Sequence, residues 1–206
     1  MFLRAALAGL LVGLAPIAAA AQGATPLLNT NTGSSSPTIP FGGFGDLGGP
    51  GNITAAAAVN NAGKVFNMLQ HGEGTPNDVD SYGRTALMYA GINNNVLMAQ
   101  VVLDRSADVD LRDQLGNTAL HWAADHGSVE VLKLLIGAKA AIDPQNRQGV
   151  TPLMMAVEKN RVDIVRLLLA GRADPKKQDY TGRDALGWST NGAIAQLLKN
   201  PPTSTR

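Results

Sequence analysis

The chain predicts an all-α repeat solenoid, and three observations in the sequence lead there. Gly83, Gly116, Gly149 and Gly182 fall at a constant spacing of 33 residues. On that ruler the segments GRTALMYA, GNTALHWA, GVTPLMMA and GRDALGWS align, with Leu87, Leu120, Leu153 and Leu186 in phase. A second apolar cluster follows each opening: VLMAQVVL, VEVLKLLI and VDIVRLLL. A fixed period of this size marks stacked supersecondary units that cannot bury their apolar faces alone.

Each unit reads as helix, turn, helix and an extended hairpin loop. Thr85, Thr118 and Thr151 stand where a first helix begins, and threonine is a good N-cap because its hydroxyl accepts from a free helical N–H. Asp184 takes that place in the last copy. Gly127 ends the first helix of its unit, and the second begins near Ser128. Within it Val131, Leu134 and Leu135 follow the spacing of one buried stripe. The segment AAIDPQNRQG is rich in turn formers and suits a hairpin bend. Upstream, NNAGKVFNMLQHG matches the second half of a unit, with Val65, Phe66, Met68 and Leu69 in register with Val131, Leu132, Leu134 and Leu135. The ruler therefore predicts about five units, at about 53–79, 80–112, 113–145, 146–178 and 179–200.

Outside the repeats the composition changes. Residues 1–21 have Arg4, an apolar run from Ala5 to Ala21 and an Ala19-x-Ala21 end, the pattern of a cleaved secretory signal. At 17 residues, with Pro16 inside it, that run is short for a membrane span. The expectation is an exported protein, periplasmic or secreted, with no stable membrane insertion after cleavage. Residues 22–52 are dense in Gly, Pro, Ser, Thr and Asn, and have too little apolar surface to offset ordering, so a flexible linker is expected there. Residues 201–206 form a short tail. The absence of cysteine excludes disulfides and thiolate chemistry.

Charge is unevenly spread. Residues 22–113 hold eight acids and four bases, whereas residues 143–206 hold six acids and ten bases. Such a dipolar chain can orient a charged partner. Neither half has the basic excess of a nucleic-acid binder, so no nucleic-acid partner is expected.

The frame D-x-x-G-x-T-A-L-H-x-A-A-x-x-G-x-x-E-V-x-K-L-L, from Asp113 to Leu135, resembles the ankyrin repeat, as does the period of 33. The resemblance covers roughly residues 53–200. The first copy lacks the T-x-L opening and the last is shortened, so both read as capping units with a more polar outer face. The family resemblance implies that Thr85, Thr118, His121 and Thr151 are structural, bracing the tight turn and the neighbouring unit. It also implies recognition of a protein through hairpin tips and the exposed ends of the first helices, which form a concave surface. On this sequence the positions that vary against the frame there include Tyr82, Arg84, Leu115, Asp125, His126, Arg147, Lys159, Tyr180 and Arg183. Tyrosine and arginine are the types that most often carry interface energy.

Two chemical readings compete with this one. His121, Asp125 and His126 could be metal ligands. On a helix, however, His121 and Asp125 lie about 40° apart while His126 lies about 140° from His121, so the imidazoles diverge. His121 belongs to the recurring frame, whereas Asp125 and His126 fill a slot held by Ile92 and Asn93 in one neighbour and by Glu158 and Lys159 in the other. No metal and no cofactor are expected. There is no nucleophile turn of the G-x-S-x-G kind, and paired acids such as Asp108 and Asp110 fall in turn segments. The sequence thus predicts a non-catalytic, monomeric protein-binding module with no small-molecule substrate. An accessory or inhibitory subunit of an extracytoplasmic enzyme is the alternative, and an enzyme built on the solenoid a more distant one.

Overall fold

The computed structural model describes residues 52–200. The expected signal segment, the linker up to residue 51 with Phe41 and Phe44, and the tail lie outside the described residues. Helices come in pairs: α1 (Ile53–Ala58) with α2 (Ala62–His71), α3 (Ala86–Asn93) with α4 (Val96–Leu103), α5 (Ala119–His126) with α6 (Val129–Gly137), and α7 (Pro152–Glu158) with α8 (Val162–Ala170). The last helix, α9 (Gly192–Lys199), stands alone on α8. Helices α1, α3, α5 and α7 pack in one row, and α2, α4, α6 and α8 in a second. The core is continuous along both rows: Leu87, Leu120 and Leu153 are fully buried between them, as are Met98, Val131 and Ile164. Burying one such side chain contributes about 2 kcal/mol, and repetition makes one core of many small contributions.

The first helices begin at the threonines. Thr85 and Thr151 each accept from the backbone N–H three residues on, at 3.3 Å. Small residues then let the helices approach closely. A Cβ on Gly91 of α3 would lie 3.1 Å from the Ala123 nitrogen of α5.

Between pairs the chain makes hairpin-shaped turns, each spanned by one outer backbone bond (Asp80 N–H to Arg84 C=O, Asp113 to Asn117, Asn146 to Val150, Asp179 to Arg183), with the glycine N–H inside it donating to the carbonyl of the same first residue. Among the described residues these turns contain no strand, only an isolated bridge between Val79 and Thr85. One bond on each side of a tight bend is too short a ladder to extend. The ruler glycines sit at the bends with φ between +75° and +83°, where L side chains are strained. Three of them also press on the next unit: a Cβ on Gly149 would stand 2.6 Å from the Tyr180 nitrogen, and one on Gly116 2.9 Å from that of Arg147. Among the described residues, a Cβ on Gly182 would meet nothing within 4 Å.

Three sequence expectations change at this level. The last unit has no first helix: Ala185–Trp188 forms a single turn, with the Gly187 N–H on the Asp184 side chain at 2.9 Å. Gly187 is a poor helix former, and among the described residues no further unit packs over the turn. Leu186 is consequently 39 % exposed where its counterparts are buried. Phe66 is likewise exposed although its counterparts Ala99 and Leu132 are buried, since it belongs to the first described unit. Both end units, expected to have a more polar outer face, therefore expose an apolar side chain. In α6 the buried set is Val131, Leu132 and Leu135, with Leu134 half-buried, because the helix lies between two units rather than against one. Ser128 stands at the N-cap position of α6, where the sequence places the start of that helix; its hydroxyl makes no capping bond and donates instead to the Gly91 carbonyl of the neighbouring unit at 2.5 Å.

The glycines separate two costs. Gly182→Ala should lower unfolding free energy by roughly 1 kcal/mol, for backbone strain alone. Gly149→Ala adds a clash with the Tyr180 backbone, and should cost roughly 3 kcal/mol. Urea unfolding midpoints of the two variants measure the difference; equal losses would contradict the close-approach argument.

Candidate functional site

The turn tips are built around one side-chain oxygen per unit. Asp80 Oδ1 accepts from the N–H groups of Tyr82 and Arg84, both at 2.8 Å. Asp113 does the same for Leu115 and Asn117, Asn146 for Gln148 and Val150, and Asp179 for Thr181 and Arg183. Each tip then bonds to the one before it: the Gln114 N–H donates to Tyr82 C=O at 2.9 Å, Arg147 to Leu115 at 3.0 Å and Tyr180 to Gln148 at 3.1 Å. These bonds fix the spacing at which Tyr82, Leu115, Arg147 and Tyr180 are presented.

The second oxygen of the same aspartates is met from the first helix or turn of its own unit, nine residues on. Tyr89 Oη donates to Asp80 Oδ2 at 2.6 Å, Trp122 Nε1 to Asp113 Oδ2 at 3.0 Å, and Trp188 Nε1 to Asp179 Oδ2 at 3.0 Å. The fourth unit has Met155 there, which cannot donate, and it has Asn146 in place of aspartate. The Asn146 amide turns instead to Asn117 Oδ1, at 2.9 Å. Burial and the Asp80 hydrogen bond push the Tyr89 hydroxyl up to about 12. The Thr181 hydroxyl, with backbone and Trp188 donors, holds the Asp179 carboxyl down to about 2.

His121 is fully buried. Its Nδ1 accepts from the Thr118 N–H at 3.1 Å, and its Nε2–H donates to Val150 C=O of the next unit at 3.1 Å. Both ring nitrogens are thereby engaged inside the protein. Met154 occupies the same place one unit on, where its sulfur is 3.5 Å from the Thr151 nitrogen. Asp125 and His126 are partly exposed, whereas His121 is buried. The Asp125 carboxylate lies 3.3 Å from His126 Nδ1 and 3.8 Å from Lys159 Nζ, a partly exposed cluster across two units. His126 also meets the Trp122 carbonyl at 3.1 Å.

Among the positions expected to face a partner, the structure gathers Leu115, Asp125 and Arg147 around a concavity of about 440 Å³, with Trp122 and Met155 beside them. Arg147 and Tyr180 share a second hollow with Arg112. Tyr82 is 55 % exposed, Leu115 58 % and Tyr180 72 %. Arg84 stacks on Trp122 at 4.6 Å and on Tyr82 at 5.3 Å. Arg183 is more occupied internally, lying over Trp188 at 4.0 Å and 3.4 Å from the Asp179 carboxylate. Trp122 and Met155 are contributors that variation against the repeat frame does not single out. Both are half-buried, and their shared repeat position together with the three-residue spacing from Trp122 to Asp125 is the signal that places them here. The acids Asp108 and Asp110 serve the frame: Asp108 accepts from the Asp110 N–H, and Asp110 from the Ala141 N–H of the next unit.

An ordered stack of helix pairs carrying a row of tips is the architecture of a repeat scaffold. The family model for ankyrin repeats (three copies) matches residues 53–147, 105–179 and 130–203, and the chain belongs to the ankyrin-repeat family. Ankyrin repeats are in general protein–protein interaction modules, and the family is typically non-enzymatic. No curated protein matches the chain. Among the described residues no helix is long and apolar enough to cross a membrane.

Two predictions follow from the tip and helix geometry. Burial holds the His121 imidazole down to about 4, against an ordinary value of 6.5. The unfolded chain therefore takes up the proton first as pH falls, and stability drops between about 6.5 and about 4, by about 3 kcal/mol in all. His121→Met, copying Met88 and Met154, should abolish that part of the pH dependence in thermal melts at pH 7 and pH 5; an unchanged slope would contradict it. Asn146→Asp should destabilise at pH 7, because the new carboxylate lacks a donor at Met155. Adding Met155→Trp should recover about 1 kcal/mol, measured as the coupling in a double-mutant cycle.

Proposed function

We propose that this chain is an exported ankyrin-repeat scaffold that binds a protein partner through its tips and the adjoining ends of the first helices. The observation carrying this reading is the row of exposed Tyr82, Leu115 and Tyr180 on tips that are locked to one another by backbone bonds. A rigid frame holding large exposed side chains lowers the entropy cost of association. The side chains that could do acid–base chemistry are instead absorbed by the frame: His121 between two units, and Asp80, Asp113 and Asp179 by tip amides and aromatic donors. Export rests on the N-terminal sequence pattern, and monomeric behaviour accompanies this reading.

A photo-crosslinking amino acid placed at Leu115, and separately at Lys133 on α6, tests the surface. In cells expressing the full chain, the Leu115 position should yield a discrete protein adduct that the Lys133 position does not. Adducts of equal yield from both positions, or from Lys133 alone, would refute the assignment.

A further inference from the structure

Sulfur is the side-chain atom most readily oxidised, and with no cysteine in the chain it resides only in methionine. Among the described residues Met68, Met88, Met98 and Met154 are buried, at 3 % exposure or less. Met155 is the exception: it is half-buried and lines the concavity with Leu115 and Trp122. Its repeat position also leaves its sulfur outside the frame. Tyr89, Trp122 and Trp188 at the equivalent places donate to the tip aspartate of their own unit. The fourth tip is built on Asn146 instead, whose amide donates to Asn117 Oδ1 at 2.9 Å. No tip bond depends on Met155, so its sulfur changes chemically without opening the turn. A sulfoxide oxygen is a strong acceptor on a formerly apolar side chain. Buried among apolar neighbours it would lack a donor, which is costly. Around Met155 donors are at hand. The Asn146 and Gln148 amides line the same concavity, as does the Arg147 guanidinium, which enters no ion pair among the described residues.

We infer that Met155 is an oxidation site within the tip face, modified by two-electron oxidants of the peroxide class. The Met155 sulfur lone pair attacks one oxygen of hydrogen peroxide, and the S–O bond forms as the O–O bond breaks. The proton on the transferred oxygen passes to the departing hydroxide, which leaves as water. Sulfur is oxidised by two electrons and the peroxide is reduced by two. The product places a polar oxygen beside Leu115 and Trp122, and so weakens apolar contact with a partner there. That consequence rests on the reading that the tip face binds protein; the selectivity of the oxidation does not.

Titration of the folded full chain with hydrogen peroxide, read by peptide mapping in a mass spectrometer, tests the site. Met155 should gain one oxygen while Met68, Met88, Met98 and Met154 stay reduced, and the oxidised chain should keep its melting temperature. Oxidation of any of those four as fast as Met155 overturns the site. A melting temperature that falls as Met155 alone is oxidised overturns its independence from the frame. The crosslink from Leu115 in cells reads the consequence for binding. Peroxide should lower its yield severalfold in the wild-type chain and leave the yield of Met155→Leu unchanged, a comparison that removes any effect of peroxide on the partner. Met155→Gln, which is polar without oxidation, should lower the yield in untreated cells. A full yield both from the oxidised chain and from Met155→Gln overturns the effect on binding while the tip face stands. No adduct from Leu115 in untreated cells overturns the tip-face reading and this consequence with it, whereas the peptide map still decides the oxidation site.

Discussion

A single oxygen in each of the last four units, the Oδ1 of Asp80, Asp113, Asn146 or Asp179, organises the structure described here. By accepting two backbone N–H groups it closes the tip. The closed tip sets the glycine at positive φ, which brings the tip backbone against the next unit. The same residue's outer atoms then reach the first helix, or a neighbouring amide in the Asn146 case. Turn, helix and stacking are thereby coupled through one side chain, and a carboxylate accepting several N–H groups is among the stronger hydrogen-bonding arrangements in proteins. Long-range cohesion along the tips also runs through a parallel set of acceptors. Asn77, Asp110 and Asp143 each receive a backbone N–H from the following unit. Burial raises the Asp143 carboxyl, while the Asp174 N–H it accepts opposes that shift.

Much of this was legible in the sequence because a solenoid writes its period into the chain. The 33-residue spacing of the glycines, the threonines at helix starts and the apolar clusters each follow from a contact made once per unit. What the ruler could not supply was context at the ends. Leu186 and Phe66 share phase with buried residues and are exposed, because burial at those positions depends on a neighbouring unit rather than on the residue itself. The missing first helix of the last unit has the same origin, sharpened by Gly187. Leu134 was taken for part of a one-sided stripe, although a helix between two units buries a wider and rotated arc.

The candidate surface was partly readable and partly not. Variation against the frame pointed to Tyr82, Arg84, Leu115, Arg147 and Tyr180, and the structure sets these along the tips. It could not show that Arg183 spends its guanidinium on Trp188 and Asp179 while Arg147 leaves its own unspent. Nor could a position-by-position comparison reveal that an aspartate and an aromatic donor nine residues apart vary together, with Asn146 and Met155 as the exchanged pair. That pairing is energetic rather than periodic: a carboxylate oxygen needs a donor, and a thioether cannot be one. The aromatic that satisfies Asp113 also lines the concavity beside Leu115 and Arg147.

The central claim is that locked tips form one rigid row, and native-state hydrogen exchange measures it most directly. The amides of Gln114, Arg147 and Tyr180, which carry the tip-to-tip bonds, should exchange only with the opening of the helices behind them, with protection within about 1 kcal/mol of that of α5. Exchange of these three amides at the rate of an unstructured peptide, while α5 remains protected, would contradict the account.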